Sequence, residues 1–125
     1  MKRCITLALS TMALFAVTPL AALAQTAPPT YEGDPAVYKV IFEDQNFRVI
    51  AATWPKGLLD KPHSHPVPSI AYALTDCSIR LHAPDGTTRE VTNTAGKALA
   101  VPITASHTAE NISPGECRIL IVEHK

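Results

Sequence analysis

The chain has no surplus of charge of either sign, no long apolar run beyond its first two dozen residues, few aromatic residues and few glycines. Eleven Lys and Arg balance eleven Asp and Glu, so nothing in the composition favours nucleic acid or an anionic membrane surface. Five glycines supply no phosphate-cradling loop, and there is neither a Gly-x-Ser-x-Gly elbow nor a plausible pair of catalytic carboxylates. Trp54 and Phe47 read as core or rim residues instead of a stacking platform. No convincing 3.6-residue apolar stripe is present, which argues against a helical bundle.

The one long apolar run lies at the start. Lys2 and Arg3 precede an almost wholly apolar stretch over residues 5–17, Pro19 breaks it, and Ala22-Leu23-Ala24 supplies the small-x-small pattern before a cleavage site. The run falls short of the roughly 20 residues that span a bilayer. Residues 1–24 are therefore expected to be a removable signal peptide, giving a secreted or periplasmic protein without stable membrane anchoring that starts near Gln25. Cys4 precedes the run, the wrong place for a lipid-modified cysteine, and is expected to be lost with it. What remains carries 9 basic against 11 acidic residues. Its length, about 100 residues, suits one domain around one core.

Residues 25–35, polar and proline-bearing, read as an extended lead-in. The rest, 36–125, reads as short strands between turns. Strands are expected at 36–43, 47–54, 69–75, 78–83, 87–91, 97–101, 106–112 and 118–123, with Pro84-Asp85-Gly86 and Ser113-Pro114-Gly115 as turns. Such a series predicts an all-β sandwich or barrel.

Three histidines carry the functional signal. His63 and His65 are two residues apart, so on an extended strand both imidazoles leave the same face. His107 must join them from a second segment. Around these residues the chain resembles the cupins, small jelly-roll β-barrels marked by Gly-x5-His-x-His-x3-or-4-Glu-x6-Gly and then Gly-x5-Pro-x-Gly-x2-His-x3-Asn. Gly57, His63 and His65 match the first motif; Gly96, Pro102, His107 and Asn111 match the second. Seven of ten fixed positions agree, and the resemblance covers nearly all of the chain from about Tyr38 onward. The exceptions are Ser69 at the glutamate position and Asp76 and Thr104 at two glycine positions.

The resemblance implies a single-domain cupin barrel with His63, His65 and His107 as ligands to a divalent metal (iron, zinc, manganese or nickel), and with Ser69 lining the site in place of the charged ligand. Three neutral imidazoles would leave the metal charge uncompensated and draw an anionic molecule, a carboxylate, thiolate or enolate, to the open face. With iron(II) this fits a dioxygenase acting on a thiol or enediol-like compound; with zinc or manganese, an isomerase or hydrolase. The cupin arrangement also sets the strand after the first motif beside the last strand, which would bring Cys77 near Cys117 as a disulfide in an oxidising compartment, with two unpaired thiols as the alternative, and small cupins often form homodimers. The small-molecule ligand stays unnamed.

Each histidine also has an ordinary reading as a buried, hydrogen-bonded side chain, and a cupin that has lost its metal is the alternative for all three. His82 shares a face with Arg80 and is expected on the outside, while His124 is expected to have no catalytic role. Tyr72 has the strand parity opposite to Ser69, Ala71 and Ala73, which places it in the outer layer. Asn111-Ile112-Ser113 fits a glycosylation acceptor, but Asn111 is also the motif asparagine. With no evident general base, the sequence leaves three functions open: a metal-dependent enzyme, a non-catalytic ligand- or metal-binding module, and a metal-free dimerising barrel.

Overall fold

The computed structural model describes residues 25–125, so the proposed signal peptide lies outside the described residues. One turn of helix, α1 (Thr30–Gly33), precedes β1 (Tyr38–Glu43), β2 (Phe47–Trp54), β3 (His63–His65), β4 (Ser69–Ala73), β5 (Cys77–His82), β6 (Thr88–Asn93), β7 (Ala98–Val101), β8 (Thr104–Asn111) and β9 (Cys117–His124). The strands form a five-stranded sheet in the order β1-β2-β9-β4-β7 and a four-stranded sheet in the order β3-β8-β5-β6. All paired strands are antiparallel.

Alternation along the strands builds the core. In β9, Cys117, Ile119, Ile121 and Glu123 are buried while the residues between them are not, as the two-residue period of a strand requires. In β4 the same period buries Ser69, Ala71 and Ala73 and turns Ile70 and Tyr72 outward. The apolar interior gathers Ile50, Ala52 and Trp54 of β2, Ile79 of β5, Ala109 of β8 and Ile119 and Ile121 of β9. At one end Cys77 and Cys117 form a disulfide, with their Cα atoms 5.3 Å apart. The expected strands lie within two residues of those observed, and the paired histidines occupy a short strand of their own.

The lead-in departs from the expectation of extended chain. Pro29 starts the turn of α1, Thr30 is fully buried, and the backbone N–H of Asp34 donates to the Thr30 carbonyl at 3.0 Å. Ahead of this turn, the Ser64 N–H donates to the Pro28 carbonyl at 2.8 Å and the Ala27 N–H to the Ala105 carbonyl at 2.9 Å. β3 is an edge strand, and the lead-in meets it at Ser64 while Ala27 reaches past it to β8, which satisfies backbone groups that would otherwise face solvent.

Candidate metal centre

The His63 and His65 imidazoles project from β3, which pairs with β8 so that His63 faces His107 and His65 faces Thr104. Two steps on β3 thus oppose three on β8. This bulge overrides the simple alternation of β8 and lets both Thr104 and His107 line the cavity, where regular pairing would put them on opposite faces. The motif glycines Gly57 and Gly96 turn the chain before each histidine segment with φ of 75° and 77°, a region that residues with a Cβ seldom enter.

The three imidazoles converge. His107 Nε2 lies 2.9 Å from His63 Nε2 and 3.2 Å from His65 Nε2, and the set shares one potential ligand position, with donor atoms within 4.8 Å of one another. Nitrogens about 2.1 Å from one ion and at right angles around it stand about 3.0 Å apart, so the spacing suits three nitrogens on one ion. His63 Nδ1 lies 2.9 Å from the Lys61 carbonyl. That contact requires the proton on Nδ1 and turns the Nε2 lone pair toward the other two rings. Burial is the main cause that lowers the His65 pKa to about 4 and the His107 pKa to about 3; the neighbouring His63 adds to both, and His65 and Arg89 add to the second. Both rings are therefore neutral at neutral pH, the state a metal needs.

Behind His63 stands a carboxylate that the motifs do not mark. Asp60 is buried and accepts the Tyr38 hydroxyl at 2.6 Å, Trp54 Nε1–H at 3.0 Å and the Ala109 N–H at 2.6 Å. Its Oδ1 lies 3.6 Å from His63 Nδ1. The Tyr38 hydroxyl is also 3.3 Å from His63 Nε2. Burial, reinforced by Asp60, pushes the Tyr38 pKa well above its usual value, which keeps the phenol protonated as a donor. Residues 57–60 run beside β8, with Gly57 N–H donating to Asn111 and Asp60 N–H to Ala109, and this pairing seats Asp60. The negative charge missing from position 69 is thus present one layer behind the histidines.

Ser69 faces inward but is outside the cavity lining at the histidines; its hydroxyl donates to the Val67 carbonyl at 3.0 Å. In register beside it lies Glu123, 1% exposed, paired with Arg48 at 3.1 Å. A glutamate at 69 would set two inward carboxylates side by side, and serine avoids that repulsion.

The histidines open on a cavity of about 140 Å³. Its walls are largely apolar, including Leu81, Val91, Leu99 and Val101, with Arg89, Asn93 and Thr104 as polar exceptions. His82 lies outside, its Nε2 3.0 Å from Glu110 Oε2, and His124 packs edge-on against Phe47. Asn111 is structural: its amide donates to the carbonyls of Trp54, Pro55 and Gly115 and accepts from Ser113. Trp54 is core, Phe47 is at the rim, and Tyr72 is in the outer layer. Of the functional neighbours, Asp60, Tyr38, Arg89 and Asn93 escape sequence reading; the available signal was the place of Asp60 within the first motif, three residues before His63.

Comparison with solved structures agrees with this architecture. The chain is similar to a cupin domain from Bordetella pertussis, at 20% identity and a TM-score of 0.65, over 82% of this chain and 99% of that one. It is also similar to an RmlC-like cupin with a double-stranded β-helix from Methanocaldococcus jannaschii, at 13% identity and a TM-score of 0.57, over 90% and 93% of the two chains. Neither a protein-family model nor a curated protein matches the sequence. The chain has the cupin fold, an all-β jelly-roll barrel, and within it a three-histidine cluster suited to a metal ion.

Proposed function

We propose that the protein is an exported metal-binding cupin that holds a small anionic organic molecule at a divalent ion carried by His63, His65 and His107. The convergence of three imidazoles at one end of an apolar cavity is the observation that carries this reading. A bound divalent ion would supply Lewis acidity, polarising a donor atom of the molecule beside it.

The chain's own residues do the rest. The Lys61 carbonyl holds His63 in its ligating tautomer, and Asp60 places negative charge behind that ring. Tyr38 and Trp54 hold the carboxylate, and the apolar walls limit water around the ligand position. Export is supported by the leader pattern and by the Cys77–Cys117 disulfide, which suits an oxidising compartment. The outer face of the five-stranded sheet carries Ile70, Tyr72 and Leu74, all at least 41% exposed, and a second copy of this chain is the partner proposed for it.

Elemental analysis of protein recovered from the periplasm tests the metal. One ion per chain is expected, lost on replacing His63, His65 or His107 with alanine and kept in His82→Ala, with circular dichroism showing a folded barrel in every case. Metal-free protein that takes up no iron, zinc, manganese or nickel would overturn the reading.

A further inference from the structure

The inward row of β6 is left over once the metal centre is accounted for. Residues 89, 91 and 93 share one face of the strand by its two-residue period, and all three line the cavity. Arg89 makes no ion pair among the described residues, whereas Arg48 is engaged by Glu43 and Glu123, and Arg80 by Glu90 and Glu110. No carboxylate lines the cavity among the described residues, so nothing inside it competes for the Arg89 guanidinium. Asn93 adds a second, independent sign: it is 7% exposed, and its Oδ1 is buried without a hydrogen-bond partner. A buried amide oxygen left unpaired costs stability unless a bound molecule satisfies it.

Register fixes the distances. Arg89 pairs with Leu81, and Leu81 with Ala109, two residues beyond His107 on β8. Two strand spacings separate the Arg89 and Ala109 backbones, about 10 Å, a gap that an arginine side chain shortens substantially. The cavity thus has a cation on one wall, the histidine cluster on another, apolar side chains between them and an unpaired acceptor along the first wall.

We propose that β6 is the ligand-selecting strand: Arg89 binds the anionic group of a small organic acid whose other end reaches the three histidines, and Asn93 accepts a hydrogen bond from a hydroxyl or N–H on its body. This rests on the metal reading above and specifies the ligand class that the site takes: an organic acid with two polar ends and a short apolar middle. An exposed arginine meeting a carboxylate at the mouth of an apolar cavity acts by a charge-assisted hydrogen bond, which is worth about tenfold in affinity.

The test uses zinc-loaded protein and isothermal titration with matched hydroxamates, which chelate the ion with one end. Adipic monohydroxamate is compared with hexanohydroxamate, and succinic monohydroxamate with butanohydroxamate, so that each pair differs only in a terminal carboxylate. At least one acid is expected to bind about tenfold tighter than its alkyl partner. Arg89→Gln should erase that preference while leaving the alkyl affinity in place. Asn93→Leu should keep the carboxylate preference and lose the advantage of 3-hydroxyhexanohydroxamate, whose hydroxyl lies on the body of the chain, over hexanohydroxamate. Equal binding of acid and alkyl partners by the unaltered protein, or a preference that survives Arg89→Gln, overturns the assignment. If zinc is not retained, the titration is run with whichever of iron, manganese or nickel the protein holds; if none is held, the metal reading fails and hexanoate titrated into metal-free protein decides the Arg89 site: binding lost in Arg89→Gln upholds it, and no binding overturns it.

Discussion

Asp60→Asn probes the layer that supports the proposed metal. In the native protein, Oδ2 of Asp60 takes hydrogen bonds from Tyr38 and Trp54 while Oδ1 takes one from Ala109. Asparagine has one acceptor oxygen. If that oxygen faces Tyr38 and Trp54, its NH2 points at the Ala109 N–H; if it faces Ala109, two side-chain donors meet an NH2. Either way at least one buried donor is orphaned and an anionic acceptor is lost, at a cost of about 2 to 4 kcal/mol. Urea unfolding of the metal-free protein reads this directly, and a fall in melting temperature of about 10 °C or more accompanies it for a domain of this size. The same change removes the negative charge 3.6 Å from His63 Nδ1, so titration with zinc should show about 10- to 100-fold weaker binding. Tyr38→Phe is the milder control, removing one donor from Oδ2 at about 1 kcal/mol. An Asp60→Asn protein with unfolding energy within about 0.5 kcal/mol of native and unchanged zinc affinity would refute the reasoning.

The disulfide closes a loop of 40 residues, worth about 4 kcal/mol in the chain-entropy model; Cys117→Ala should expose one free thiol and lower thermal stability, and a thiol count unchanged under denaturing, non-reducing conditions would contradict the bond. In metal-free protein, the folded-state pKa values of His65 and His107 are lowered to about 4 and about 3, mainly by burial. Below about 6.5 the unfolded chain binds protons that the folded chain refuses, so their contribution is fully present above 6.5 and is lost as pH falls toward 4 and 3, at up to about 2.7 kcal/mol per pH unit for the two. Urea midpoints at pH 7.5, 6 and 5 check this, with a flat profile as the contrary result. Ser69→Glu should destabilise the fold by about 1 to 3 kcal/mol, because the new carboxylate is buried in register with Glu123, whose partner Arg48 is already engaged; Ser69→Gln, without the charge, should cost less in the same unfolding assay.

Local information was enough for eight of the nine strands, and the motif resemblance supplied the histidine cluster. The β-rich runs, the turns at Pro84-Asp85-Gly86 and Ser113-Pro114-Gly115, and the two-residue step between His63 and His65 depend on neighbours in the chain, and the seven motif matches carried His107 and Asn111 with them. The parity that turns Tyr72 and His82 outward is likewise a property of a strand read by itself. Other features depend on what packs across a distance. The turn of helix at Thr30–Gly33 follows a lead-in that bonds to Ser64 of β3 through Pro28 and to Ala105 of β8 through Ala27, contacts that no local pattern announces. Thr104 joins His107 in the cavity only through the bulge between β3 and β8, a property of the pairing. Asp60 is an ordinary loop aspartate until β1, β2 and β8 bring Tyr38, Trp54 and Ala109 to its oxygens. Arg89 and Asn93 look like alternating polar residues on a solvated strand until the two sheets close over the space they face. Sequence specifies strands because alternation is local; it leaves the surroundings of the histidines open because a carboxylate or a guanidinium acquires its role from donors and acceptors contributed by strands distant along the chain.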